Sequence, residues 1–194
     1  TDTEKQQLLQ MCLTSLQNLM DYCDLMFEAS LKLDQNIPTS KTCFQPIDLV
    51  RKVADMFQPA IQQRELNLLY TLDDDVPDQL VGPYQALYRV LINLVDNGLK
   101  FTSSGHVHIH VGCRGDWLCI DVCDTGKGIP PKRRQDVFEK FCKLMPQYHK
   151  KTEGFGLGLH FVATICAANN MAVTIRDNTP SGTIFHIECP VAQV

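Results

Sequence analysis

The stretch Leu87–Thr102 reads LYRVLINLVDNGLKFT, and its reading decides how the rest of the 194-residue chain is understood. Leu87, Val90, Leu91, Leu94, Val95 and Gly98 recur at helical spacing, which predicts one helix with a core-facing stripe. Asn93, Asn97 and Lys100 fall at i, i+4 and i+7 and line up as a second stripe. Two amides and an ammonium there are either a plain solvated face or one wall of a site. Two glycine-rich loops downstream, Asp124-Thr-Gly-Lys-Gly-Ile129 and Gly154-Phe-Gly-Leu-Gly-Leu159, favour the site. Helix and loops in that order suggest a place for a nucleotide and its metal.

Composition bounds the function classes. Apolar residues make up 44% and charged residues 21%, as in an ordinary soluble domain. A net charge of −4 and a pI near 5.8 argue against nucleic acid as a partner, because that affinity rests on basic patches. No apolar run reaches membrane-spanning length. The chain starts at Thr1 rather than Met, as if cut from something longer, so a cytoplasmic domain of a membrane-anchored parent is compatible with it. Nine cysteines, an odd number without a CxxC, read as buried reduced thiols rather than a zinc site built from compact ligand pairs. His106, His108 and His110 alternate with Val107, Ile109 and Val111. That reads as a solvent face opposite a core face, with metal binding by three imidazoles the alternative.

Residues 4–33 read as a helix. Leu9, Leu13, Leu16, Met20, Cys23 and Phe27 form a heptad seam that needs another helix, either a second copy or the domain body. Three parts follow: a dimerisation-type helix over 1–34, a polar linker over 35–46, and a globular domain over 47–194. Within the last, the patterns predict a helix Ile47–Gln63, a strand Leu66–Leu72, and strands Gly105–Cys113 and Trp117–Cys123 around Arg114-Gly-Asp116. They go on to a short helix Arg133–Phe141, a mobile loop Cys142–Glu153, a helix Gly156–Asn169, and strands Ala172–Asp177 and Thr183–Cys189. The fold class is α+β, a mostly antiparallel sheet with helices on one face.

Each loop taken alone is weak. Asp124, held at a strand end, can accept from an exocyclic amine, and Gly126 and Gly128 let the backbone approach a flat ring. Gly154, Gly156 and Gly158 precede a helix whose N–H groups could hold phosphate. Neither loop fits the dinucleotide fingerprint or the P-loop.

Together, NLVDNGLKFT, DTGKGIP, the FEKF of Phe138–Phe141 and GFGLGL resemble the asparagine box, first glycine box, phenylalanine box and second glycine box of histidine kinase catalytic domains. These belong to the GHKL superfamily, and KFT with DTGKGIP looks most like the hybrid sensor type. The resemblance implies the Bergerat fold, a two-layer α/β sandwich, with ATP and Mg2+ as ligands. It implies that Asn97 binds Mg2+, that Asn93 lies near the phosphates, and that Lys100 contacts them, these three carrying the catalysis. Phe101, Asp124, Gly126, Gly128, Ile129 and Thr183 are implied around the nucleotide. Gly154, Phe155, Gly156, Leu157 and Gly158 are implied on its phosphate side, with Lys150 or Lys151 reaching in from a lid over Cys142–Glu153.

Superfamily ATPases resemble the layout but carry Glu where this chain has Asn93, and an amide cannot act as a base on water. The resemblance therefore implies a sensor histidine kinase passing the γ-phosphate to a histidine on its own upstream helix, outside the chain. A response-regulator receiver domain and a homodimer in the full protein complete the implied partners. Phe155, His160 and Gly98 stand where the family usually has a small residue, Ala and Ala; bulky Phe155 and the missing acceptor histidine keep a degenerate nucleotide-binding or scaffold domain as the alternative, with a superfamily ATPase as a third.

Overall fold

The computed structural model describes residues 39–64, 66–140, 142 and 156–194, all within the unit Pro38–Val194. The expected 4–33 helix, with its seam, and nearly all of the expected lid lie outside the described residues.

Order along the chain is β1 (Thr42–Phe44), α1 (Pro46–Arg64), β2 (Asn67–Leu72), β3 (Leu80–Gly82), α2 (Tyr84–Phe101), β4 (His106–Arg114) and β5 (Trp117–Asp124). Then come α3 (Gly158–Ala168), β6 (Ala172–Asp177), β7 (Thr183–Pro190) and β8 (Ala192–Gln193). Five strands form the main sheet in the order β2-β4-β5-β7-β6, with β2 and β4 parallel and the other neighbours antiparallel. A second sheet, β1-β3-β8, joins Thr42 to Gly82 and Val81 to Ala192.

Strict alternation builds one core layer. Val107, Ile109 and Val111, Leu118, Ile120 and Val122, and Phe185, Ile187 and Cys189 are all buried, while the residues between them along each strand are half-buried. The helices cover that inner face. Central α2 offers Ala86, Leu87, Val90, Leu91, Leu94, Val95, Gly98 and Leu99, each buried. It ends where Thr102 turns to extended backbone (φ −100°, ψ 120°) and its N–H caps Gly98 O at 3.0 Å. Helix α1 contributes Leu49, Val50 and Val53, and runs through Pro59, an exposed position where the lost backbone bond faces water.

Two expectations are corrected. Arg133–Phe141 is not an α-helix: residues Pro131–Arg133 and Asp136–Phe138 form two separate 3-10 turns. Pro130 precedes the first and Pro131 opens it, and Val137 alone among the turn residues is buried, too little apolar surface to hold a longer helix. The stretch read as linker contains strand β1, and helix α1 already begins at Pro46. The histidine strand follows the expected split, its half-buried imidazoles lying opposite the buried Val107, Ile109 and Val111, with His108 bonding Thr71 at 2.9 Å and His110 bonding Asp73 at 2.8 Å, both from the β2 side. Burial and the two flanking imidazoles push the His108 pKa down.

Leu94 is fully buried at the centre of α2. Leu94→Ala should lower unfolding free energy by about 2–5 kcal/mol in a denaturant titration, through lost burial and a residual cavity. A loss under about 1 kcal/mol would contradict the packing of α2 on the sheet.

Candidate functional site

Asp124 closes β5 on the helix-covered side and is 6% exposed. A carboxylate out of water needs donors. Its Oδ1 accepts from Gly126 N at 2.8 Å and Thr183 N at 3.3 Å, and the Thr183 hydroxyl bonds the group as well. Burial raises the Asp124 pKa, and these three bonds hold the rise in check. An ionised carboxylate has about four acceptor sites, so capacity is left over for an incoming donor.

The surrounding backbone closes tightly on this side chain. Gly182 sits at φ +116°, and a Cβ there would fall 1.9 Å from Asp124 O, so no other residue fits. That same carbonyl accepts from Asn178 Nδ2 at 2.8 Å. A Cβ on Gly126 would meet Phe101 O at 2.5 Å, which places the Asp124 loop directly against the end of α2. Ile129 is buried in this loop, Gly128 (φ +73°) lies over the Gly182 backbone, and Lys127 Nζ stands 4.8 Å above the half-exposed Phe101 ring. Beside Phe101, the Thr102 hydroxyl is buried with no hydrogen-bond partner.

The amide stripe of α2 forms a second wall. Asn93 Nδ2 donates to Arg89 O at 2.9 Å, which leaves its oxygen directed elsewhere. The start of α3 comes so close that a Cβ on Gly158 would lie 3.2 Å from Asn93 Oδ1 and 3.6 Å from Asn97 Nδ2. No side chain caps that helix start, which follows Gly156 (φ +77°) and the buried Leu157. His160, on the first turn of α3, brings Nδ1 within 3.1 Å of Phe138 O. A carbonyl can only accept, so Nδ1 carries the proton, and the contact fastens α3 to the second 3-10 turn.

The structure thus brings Asp124, Gly126, Gly128, Ile129 and Thr183 together in one wall, and Asn93, Asn97 and Gly158 in the other. Phe101 bridges them through its backbone. Lys100 is engaged elsewhere, pairing with Asp96 one turn earlier at 2.6 Å. Lys150, Lys151, Gly154 and Phe155 lie outside the described residues. Sequence reasoning missed Asn178 and Gly182. The turn signals of Asn178-Thr-Pro-Ser-Gly182 were visible, but nothing local tied that turn to the main-chain carbonyl of Asp124, 54 positions earlier.

A family model described as histidine kinase-, DNA gyrase B-, and HSP90-like ATPase matches residues 82–193. The sensory/regulatory protein RpfC of Xanthomonas campestris pv. campestris is 32% identical over 98% of this chain and 27% of its own length. The sensor histidine kinase RcsC of Salmonella typhimurium is 30% identical over 76% of the chain and 16% of its own. The chain thus spans about a quarter or less of the length of these relatives. Among solved structures, full-length ShkA in complex with AMPPNP superimposes with a TM-score of 0.71 at 28% identity, over 80% of this chain and 32% of that one.

A raised pKa means that the folded state favours the neutral acid. The stability linked to Asp124 is full below the unfolded carboxyl value of about 3.9 and is lost as pH rises through the raised folded value. Asp124→Asn keeps an acceptor for Gly126 N and Thr183 N without the desolvated charge. Thermal melts near pH 7 should therefore find this variant as stable as the original or more so, with the gap closing towards about pH 4. A variant destabilised by more than about 2 kcal/mol near pH 7 would show that the charge is structural.

Proposed function

The chain belongs to the family of histidine kinase-, DNA gyrase B- and HSP90-like ATPases, and on that premise we propose that it is the ATP-binding catalytic region of a sensor histidine kinase. The observation that carries the nucleotide reading is the buried, incompletely filled carboxylate of Asp124. An ionised carboxylate only accepts, so it matches the exocyclic amine of adenine and opposes the carbonyl of guanine. Gly126, Gly128, Ile129 and Thr183 shape the wall around that edge, and Phe101 flanks the nucleotide.

On the phosphate side, Asn93, Asn97 and the start of α3 supply amides and N–H groups without a carboxylate. Neutral amide oxygens are weak ligands for a hard cation, so they suit an Mg2+ held jointly by Asn97, the phosphates and water. Such an ion would draw charge from the phosphates when bound. Lys100 would exchange its exposed Asp96 partner, an interaction worth little in water, for a phosphate. Gly156, Leu157 and Gly158, with Gly154 and Phe155 before them and Lys150 or Lys151 from the lid, would close that side.

Asn93 favours transfer over hydrolysis. Its amide cannot take a proton from water, so the nucleophile must come with an acceptor. His106, His108, His110, His160 and His186 are held within strands and helices. His149 lies outside the described residues, and in this reading the acceptor is a histidine on a helix outside the chain, in a homodimeric parent, with a receiver domain of a response regulator downstream. Among the described residues no helix is long and apolar enough to cross a membrane.

Calorimetry should find ATP or ADP bound more tightly than GTP or GDP. In Asp124→Asn, the two backbone donors keep the amide oxygen at the Oδ1 position, so an NH2 group faces adenine. Adenine nucleotide affinity should fall by about 1–3 kcal/mol, roughly five- to 150-fold. Equal affinity for the two bases in the unmutated chain would sink the assignment. Asn97→Ala should weaken Mg-ATP binding while leaving metal-free ATP almost unchanged, and an unaltered Mg2+ effect would remove Asn97 from the metal role.

A further inference from the structure

The face of the main sheet turned away from the helices carries chemistry that the nucleotide site does not use. On β5 the residues pointing that way are Trp117, Cys119, Asp121 and Cys123; on β7 they include His186 and Glu188. The antiparallel register sets Cys119 opposite Glu188 and Asp121 opposite His186. Cross-strand neighbours on one face lie within reach of each other, so two ordinary pairs become a four-residue cluster. Cys119, His186 and Glu188 bring a thiol sulfur, a ring nitrogen and a carboxylate oxygen within 4.8 Å of one another. Among the described residues this is the one group of three or more such ligands that converges.

Asp121 gives the cluster its direction. Its Oδ1 lies 2.6 Å from His186 Nδ1. A carboxylate accepts, so Nδ1 is the protonated nitrogen and Nε2 is the one left to ligate. Nε2 points at Glu188 Oε1, 3.5 Å away. Carboxylate, imidazole and open nitrogen in line is the arrangement that orients a histidine towards a metal ion. Arg176 also bonds Asp121 Oδ1, at 2.9 Å, and holds the carboxylate in place from the neighbouring strand β6.

We propose that Cys119, His186 and Glu188 form a binding site for a zinc-class divalent cation, with Asp121 positioning His186. Thiolate, imidazole and carboxylate together suit zinc rather than magnesium or calcium, which take oxygen ligands. Zinc bonds of about 2.0–2.3 Å in a tetrahedron put ligand atoms somewhat closer together than 4.8 Å, so small side-chain turns close the site. The fourth position is left to water. Arg114, which pairs with Glu188, is the one cation in the way; its side chain is 74% exposed, so moving it costs little. The site sits near the start of β5 on the open face, whereas Asp124 ends that strand on the covered face, so metal here is independent of the proposed magnesium.

The test is a cobalt titration of the chelator-treated, reduced 194-residue chain, read by visible absorption. The expected result is the ligand-field spectrum of a four-coordinate ion with a thiolate-to-cobalt charge-transfer band. Cys119→Ser should remove that band, and His186→Gln or Glu188→Gln should weaken binding roughly tenfold or more, while His108→Gln changes nothing. Zinc should displace the cobalt and raise the thermal midpoint of the unmutated chain but not of Cys119→Ser. If a single variant fails to fold, the other two carry the comparison. No charge-transfer band in the unmutated chain overturns the proposal, as does a band that survives Cys119→Ser or one that is lost in His108→Gln.

Discussion

A single carboxylate taken out of water sets the terms for much of this domain. Asp124 ends a central strand, and burial there has to be offset by Gly126 N, Thr183 N and the Thr183 hydroxyl. Those donors fix the loop after β5 and the first residue of β7. Its main-chain oxygen then fixes the turn before β7, through Asn178 and through a contact that only glycine at 182 permits. Two segments far apart in sequence are thus referred to one residue, through its side chain and its main-chain oxygen, and the half-filled acceptor group faces the wall where the end of α2 lies.

Helix α2 mediates between this constraint and the core. Its apolar stripe is buried on the inner sheet face, while the opposite turns carry Asn93 and Asn97 to within a methyl group of α3. The same helix is therefore both the largest contributor to the core and the carrier of the polar wall. A rigid, well-buried helix suits that double duty, because groups meant to receive a ligand are best held by elements whose own packing leaves them no freedom. The outer sheet face obeys the same alternation. Residues excluded from the core by strand geometry are collected there, and cross-strand register turns them into His–Thr, His–Asp and Cys–His–Glu neighbours.

Long periodic elements were legible in the sequence because burial on one face imposes a period. Helix α2, the β4–β5 pair around Gly115 and the β6–β7 pair all lie within a few residues of their expected bounds. Three-residue strands such as β1 and β3 show no period, and the small sheet they form with β8 depends on pairing between the two ends of the domain. The stretch read as a short helix over Arg133–Phe141 instead holds 3-10 turns, in which only Val137 is buried. In the site, the glycines and Asp124 stood out as loop chemistry. Asn178, Gly182 and the unpartnered Thr102 hydroxyl did not, since each acquires its meaning from residues brought near by folding. Cysteine spacing gave no metal pattern because the converging ligands come from two strands, one residue of β5 and two of β7.

The central claim is that the Asp124 wall receives an adenine ring. Backbone amide shifts in an NMR titration with an adenine nucleotide test it most directly. The account predicts that the largest changes fall on Gly126 and Thr183, whose N–H groups share the carboxylate with the ligand, and on the amide groups of Asn93 and Asn97. Changes confined to other surfaces, with Gly126 and Thr183 unmoved at saturation, would contradict it.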